Sequence, residues 1–342
     1  MSSKELSMDQ PFLKPAFDGD AIPVAFAASD GFVPYFAGCL QSLLDHISPG
    51  NCYDLVLIQT DVTGENQARL KTMVSAYSNV SLRFFHAGKL LENGRLKANA
   101  HISVETYFRF LIQQILPDYD KVLYLDCDLI VNADIAELYR TDVEGYLLAA
   151  ARDPEFLGHL HGTDKQIRKY ALTELHMRNP ENYFQAGVLL FNEEEMRKAY
   201  SMEQWLAFAS KPYRYNDQDV LNRYCEGRVK YLDMAWNLIT DCDHTRVSQV
   251  IIHAPEKIRE EYASAHSAPK IIHYAGYRKP WQKPTEDMAQ FFWSAIRETP
   301  FYEEALFGMA CFAAKECIQE DRRDRSLYWK MRRIGKRIFT RR

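Results

Sequence analysis

The 342-residue chain has no window of about 18 uninterrupted apolar residues, so a membrane-spanning helix is excluded. Its start, MSSKELSMDQPFLKPAFDGD, has neither an apolar core of signal-peptide length nor a charged-then-apolar order, so the protein is expected to stay where it is made. Paired cysteines are also missing. The seven, at 39, 52, 127, 225, 242, 311 and 317, are odd in number and scattered, and no two have CxxC spacing. That pattern points to reduced thiols, not to a disulfide frame or a zinc knuckle. Internal repeats are absent. A composition of 47% hydrophobic and 26% charged residues excludes collagen-like and disordered classes. Positive charge is scarce over most of the length: residues 321–342 hold ten Lys/Arg against two Asp/Glu, while the other 320 hold 32 against 44. An acidic body gives nucleic acid nothing to bind, and the basic tail needs its own explanation.

What is present is an alternation of short apolar runs with helical stretches. IPVAFAA (22–28), DLVLIQT (54–60), SLRFFH (81–86) and KVLYLD (121–126) read as buried strands. Helices are expected over 33–47, with Pro34 in the first turn, over 63–77, with Thr63 as N-cap, and near 103–115. Continuous apolar strands separated by helices predict an α/β protein, a mostly parallel sheet covered on both faces. Strands follow at 146–151, 187–192 and 270–274, and helices near 193–210 and 217–226. The His-rich stretch 153–182 reads as a solvated loop over an acceptor. Ligands of such sheets bind at the carboxyl ends of the strands, so residues just past strands carry most weight.

Five Asp-x-Asp pairs occur where chance predicts about one or two. Asp126-Cys127-Asp128 stands apart because it ends the strand VLYL and holds both carboxylates at a sheet edge. Two carboxylates there can ligate a divalent cation whose other positions take diphosphate oxygens. A second cluster, His273-Tyr-Ala-Gly-Tyr-Arg-Lys-Pro-Trp281, again follows a short apolar strand. Its histidine can complete a metal site and biases it towards manganese over magnesium. Gly276 permits close backbone approach, and Lys279 supplies a point charge for a phosphate.

FAASD (26–30), Thr106-Tyr107-Phe108-Arg109, VLYLDCDLIV (122–131), YFQAGVLLFN (183–192), NDQDVLN (216–222) and HYAGYRKPW (273–281) occur in that order. Together they resemble family 8 of the retaining glycosyltransferases, the group of bacterial lipopolysaccharide galactosyl- and glucosyltransferases and of glycogenin. The resemblance implies a GT-A fold with a single Rossmann-like nucleotide-binding domain, a UDP-sugar donor and Mn2+, with Mg2+ as the alternative ion. It implies that Asp126, Asp128 and His273 ligate the metal and that Ala27, Ala28, Asp30, Arg109, Cys127 and Gln185 line the nucleotide-sugar pocket. Gly276 and Lys279 would contact the diphosphate. Gln218 would lie near the anomeric carbon, and Asp217 would bind donor or acceptor hydroxyls. Ser29 stands where several members have an acid, and Gln185 where an asparagine is common, which leaves the transferred sugar open.

The domains expected are an N-terminal extension (1–21), a catalytic domain (22–285) and a C-terminal helical region (286–342). In the last, Leu327, Met331, Ile334 and Ile338 fall on one helical face among basic residues. Such a helix reads as an anchor on an anionic membrane surface. The whole reading is a cytoplasmic enzyme on the inner face of the cell membrane, moving galactose or glucose to a lipid-linked saccharide acceptor. Lys279 stabilises the departing UDP, Gln218 supports positive charge at the sugar, and Asp217 is the less favoured covalent nucleophile. The alternatives are a non-catalytic glycan- or nucleotide-binding protein of the same fold, a sugar-nucleotide nucleotidyltransferase, and a self-glucosylating protein. A nucleotidyltransferase would want a glycine-rich basic loop after the first strand, where SDGFVPYF stands.

Overall fold

A computed structural model describes residues 12–88, 90, 104–162 and 165–339, with the side chains of 104, 320–321 and 323–339 left out of the description. Seven strands form the main sheet: β1 (Ala21–Ala27), β2 (Cys52–Gln59), β3 (Val80–His86), β4 (Lys121–Leu125), β6 (Leu148–Ala151), β7 (Val188–Asn192) and β8 (Val229–Leu232), in the order β3-β2-β1-β4-β7-β6-β8. All pairings are parallel except those of β7, which runs antiparallel to both β4 and β6. Alternation along each strand sends Val24, Phe26, Leu55, Leu57, Leu123 and Leu125 into one core. Ala25, Val56, Ile58, Val122 and Tyr124 go into the other. Both faces are covered, which is why these strands read as unbroken apolar runs.

A second sheet of three short strands, not foreseen in the sequence, sets the site. β5 (Leu129–Val131) pairs antiparallel with β10 (Ile271–His273), which pairs parallel with β9 (Leu238–Ile239). The register puts His273 opposite Leu129, next in sequence to Asp128. Two segments some 145 residues apart thereby meet at the end of β4.

The stretch 153–182 is not a solvated loop. It holds the helices Pro154–His161 and Lys165–Thr173. Asp153 caps the first, its carboxylate accepting from Phe156 N at 2.9 Å, and Pro154 occupies the first turn. Phe156, Leu157, Leu160, Ile167 and Tyr170 are buried in a third cluster with Tyr183, Met234 and Tyr262. The polar residues that suggest a loop form the outer face of this layer. His161 is paired with Glu181 at 2.8 Å, and among the described residues no metal-type cluster involves His159, His161 or His176.

The C-terminal region contains the helices Ala289–Arg297 and Tyr302–Phe339. Phe292, Ile296, Phe301 and Ala305 are buried in the same core as β1 and β4. Gly38 lets the helix Val33–Leu44 approach this layer, since a Cβ there would lie 3.1 Å from Phe292 Cε2. Each such phenylalanine contributes on the order of 1.5–3 kcal/mol by burial. The amphipathic face expected over 327–339 lies outside the described side chains. Among the described residues no helix is long and apolar enough to cross a membrane, and all seven cysteines are free thiols.

Candidate active site

The main sheet reverses its order of winding between β1 and β4, and a cavity of about 490 Å³ opens at their carboxyl ends. Ala27 and Ala28 leave β1, Asp126 to Asp128 leave β4, and Cys127 Sγ lies 3.2 Å from Ala27 O, knitting the two exits together. Gln185, Ala186 and Gly187 lead into β7 and form another wall. Because β7 is antiparallel, its amino end reaches the same rim as the carboxyl ends of its neighbours. Asp126 N donates to Gly187 O at 2.8 Å.

Asp126, Asp128 and His273 each offer a ligand atom, and the three atoms lie within 4.8 Å of one another. His273 is buried, and its Nδ1 lies 2.9 Å from Asn237 Oδ1. Facing a carbonyl oxygen, Nδ1 carries the proton, so Nε2 presents its lone pair to Asp128 Oδ1 3.3 Å away. Asn237 is oriented in turn by Gln185, whose Oε1 accepts from Asn237 Nδ2 at 2.7 Å and from Gly187 N at 2.5 Å. This relay fixes the imidazole, the usual outer-shell device of metal ligands. Gly187 is required here. A Cβ on it would lie 2.3 Å from His273 Cε1 and 2.9 Å from Asp126 Oδ2. A lone pair and two carboxylates converging on one point repel one another unless a cation lies between them, so the donor set fits a divalent metal of mixed oxygen and nitrogen preference.

Two cations of the chain border this cluster. Lys279 Nζ donates to Asp128 Oδ2 and to Tyr274 O, both at 2.6 Å. Burial would raise the Asp128 carboxyl, but the Lys279 ammonium beside it outweighs burial and holds it well below the usual carboxylate range. Arg109, buried and stacked on Tyr124, donates to Asp126 Oδ1 at 2.9 Å and to Ala186 O at 2.6 Å. Its Nη1 also lies 2.8 Å from Asp217 Oδ2. Burial, with the charge of Asp126 adding to it, raises the Asp217 carboxyl to about 7 against the pull of Arg109.

Asp217 and Gln218 open the helix Asn216–Tyr224, whose first residue is held at φ 53°. Gln218 is clamped at both ends: Oε1 accepts from Ala186 N at 3.0 Å, and Nε2 donates to Asp153 Oδ2 at 2.9 Å. Asp153 is the functional residue that motif reading passed over. It comes two residues after β6, close to the strand end as Asp126 is after β4, but it fell in the stretch read as a loop. Burial, with Glu155 adding to it, raises Asp153 to about 6.

The fold brings Ala27, Ala28, Arg109, Asp126, Cys127, Asp128, Gln185, Asp217, Gln218 and Lys279 to the lining of one cavity, with His273 directly behind. Asp30 and Gly276 do not line it. Asp30 Oδ1 is occupied by Thr63 N and Asn66 Nδ2 at 2.8 Å each, which ties β1 to the helix Gly64–Val74. Gly276, at φ 115°, faces Arg246 Nη2 and Cys242 Sγ, which a Cβ would approach to 2.7 and 3.0 Å.

The chain resembles known proteins in sequence and fold. A putative glycosyltransferase of Haemophilus influenzae is 25% identical over 76% of this chain and 73% of its own length. The lipopolysaccharide 1,2-glucosyltransferase of Escherichia coli K12 is 27% identical over 58% of this chain and 53% of its own. Among solved structures, the apo bifunctional glycosyltransferase WbbM superposes with a TM-score of 0.79 at 30% identity, over 87% of this chain and about half (53%) of the longer WbbM chain. The galactosyltransferase LgtC, solved with donor and acceptor sugar analogs, has the same fold at a TM-score of 0.64 and 24% identity, over 82% and 96% of the two chains. The sequence profile of glycosyl transferase family 8 matches residues 23–285. With its α/β GT-A fold and this profile spanning most of its length, the chain is a glycosyltransferase belonging to family 8.

Proposed function

We propose that the protein transfers a hexose, galactose or glucose, from a UDP-sugar to a saccharide acceptor of lipopolysaccharide or another surface glycan, with retention at the anomeric carbon and with Mn2+ (or Mg2+) as cofactor. The observation that carries this reading is the convergence of Asp126, Asp128 and His273 beside Lys279 on a cavity that also exposes Gln218. A cation held there supplies Lewis-acid stabilisation to a diphosphate leaving group. The chain's own residues do the rest. Lys279 places an ammonium at the same point, where negative charge grows as the sugar–phosphate bond breaks. Arg109 keeps Asp126 in place and binds Asp217.

Gln218 is a poor nucleophile, because a neutral amide carries little electron density, and its Oε1 already accepts a hydrogen bond. Asp217 is raised to about 7 and bound by Arg109, which also disfavours covalent attack. These features favour front-face displacement. The bond from the anomeric carbon to the UDP oxygen breaks as the acceptor oxygen bonds from the same side, and the acceptor proton passes to the departing diphosphate. Gln218 Oε1 supports the transient positive charge, and Asp153 holds its amide from behind. The nucleotide would lie along Ala27, Ala28, Cys127 and Gln185.

The lipid-linked acceptor and the inner membrane face rest on charge. Residues 321–342 hold ten Lys/Arg against two acids, a composition suited to anionic lipid, and the 38-residue helix Tyr302–Phe339 runs into this segment. Sedimentation with anionic vesicles, comparing the full chain with one ending at Glu320, tests that anchor; equal binding removes it. The reaction is tested by UDP release from a panel of UDP-sugars with and without Mn2+. Metal-dependent hydrolysis of one donor, lost in Asp128→Ala, supports the reading and names the sugar. Neither release nor a thermal shift with any UDP-sugar would defeat it.

A further inference from the structure

Arg246 is a buried arginine, 6% exposed, that the transfer chemistry does not use. It starts the short helix Arg246–Gln249 and reaches three separate segments. Nη1 donates to Thr240 O, and Nη2 donates to Ala275 O at 2.7 Å. Nε lies 3.0 Å from Glu155 Oε2, a charge contact without hydrogen-bond geometry. Burying a guanidinium is costly unless partners repay it, so a three-armed arrangement of this kind holds something in place.

What it holds is the turn that carries His273 and Lys279. The peptide groups of this turn are individually tied. His273 O accepts from Thr240 N at 3.0 Å, Tyr274 N donates to Asp128 O at 3.1 Å, Tyr274 O accepts from Lys279 Nζ, and Ala275 O accepts from Arg246. Arg246 therefore grips the strand on both sides of Tyr274, directly through Ala275 and through Thr240 to His273. Gly276 follows because no Cβ fits against the guanidinium. The third arm leads elsewhere. Glu155 lies in the first turn of the helix Pro154–His161, whose cap Asp153 holds the Gln218 amide.

We propose that Arg246 is a positioning residue that sets the spacing between Lys279, on the leaving-group side, and Gln218, on the sugar side, by joining the 273–279 turn to the capped end of the helix Pro154–His161. This rests on the functional reading above for the roles of those two residues; the joining itself is independent of it. Misplacement of about 1 Å between groups acting on one transition state is enough to cost on the order of a hundredfold.

The test uses the full-length protein and the variants Arg246→Gln, Arg246→Lys and Glu155→Gln, by hydrogen exchange of the Thr240 and Tyr274 amides, which tie this strand, and by steady-state kinetics with Mn2+ and the UDP-sugar found above. Arg246→Gln is expected to speed exchange of the Thr240 and Tyr274 amides, which donate to His273 O and Asp128 O, at least tenfold and leave those of β4 unchanged. It should lower kcat about 30-fold with donor KM within threefold. Arg246→Lys, which cannot reach three partners, should recover less than a third of the loss. Glu155→Gln retains the grip on Ala275 and, if Arg246→Gln fails to fold, carries the test: kcat should fall about fivefold while both amides stay protected. Unchanged exchange of both amides in Arg246→Gln, or unchanged kcat in folded Glu155→Gln, overturns the proposal. Faster exchange in a protein whose wild type turns over no UDP-sugar would sink the functional reading and leave the joining role intact.

Discussion

Arg109 bridges Asp126 and Asp217, with Nη2 2.9 Å from the first and Nη1 2.8 Å from the second. One buried cation thus links a carboxylate of the Asp126–Asp128–His273 cluster to a carboxyl at the start of the helix Asn216–Tyr224. Two carboxylates would otherwise face each other in a poorly solvated site. Lysine has one charged point and cannot bond both, so Arg109→Lys is expected to lower kcat/KM about a hundredfold. Arg109→Ala leaves the acids uncompensated and should cost about 3–5 kcal/mol of stability, read from denaturant unfolding. A kcat/KM for Arg109→Lys within threefold of wild type would show that the bridge is dispensable.

Gly187 and Asn237 act on the metal cluster from behind. Gly187→Ala puts a methyl group 2.3 Å from the His273 ring and is expected to displace it. Asn237→Leu removes the acceptor that fixes the Nδ1 proton. Outer-shell changes of this kind typically cost about 10–100-fold in metal affinity. Mn2+ titration by calorimetry should find both variants in that range with melting temperatures within a few degrees of wild type. Wild-type affinity in Asn237→Leu would mean that the Gln185–Asn237 relay does not orient the ligand.

Asp153 supplies a pH dependence of stability. Its folded value of about 6 lies above the unfolded one, so its stabilising contribution is complete below the unfolded value and is lost as pH rises through about 6. The shift corresponds to about 2–3 kcal/mol between pH 4 and pH 7. Asparagine caps a helix as well as aspartate does and carries no charge to bury. Asp153→Asn cannot accept both bonds and starts from a deficit, but it should gain about 2 kcal/mol relative to wild type between pH 4 and pH 7 in urea unfolding. Parallel stability curves over that range would contradict the burial argument.

These residues show what could be read in advance. Asp126 and Asp128 stand out because a run of apolar residues gives way at once to two acids, a pattern set by the strand itself. β1 to β4 are legible for the same reason. The antiparallel course of β7 is not, since GVLLFN is equally apolar in either direction and only its pairing with β4 decides it. The strand expected at 270–274 is β10, but the three-residue β5 is too short for periodicity and its pairing with β10, which brings His273 to the cluster, cannot be read from the sequence. The helices of 154–173 bury residues at helical spacing, 156/157/160 and 167/170/171, but each is barely two turns long and the histidines and lysines around them suggest a solvated loop. Asp153 was lost with them, although it lies two residues past β6, close to the strand end as Asp126 is past β4.

Lys279 and a bound cation compete for one carboxylate. The ammonium lies 2.6 Å from Asp128 Oδ2, so it neutralises part of the carboxylate charge that would attract a cation. Lys279→Met removes that competitor while leaving Asp126, Asp128 and His273 as they are. Mn2+ should then bind several-fold more tightly, measured by calorimetry or by the loss of free-ion electron paramagnetic resonance signal. Turnover should move the other way. Without the ammonium, charge growing on the leaving diphosphate loses one of its two stabilising partners, and kcat should fall by about a hundredfold or more. Opposite changes in affinity and turnover separate a leaving-group role from a supporting one. If both fall together, Lys279 serves chiefly to hold Asp128 for the metal, and stabilisation of the departing UDP must come from elsewhere in the cavity.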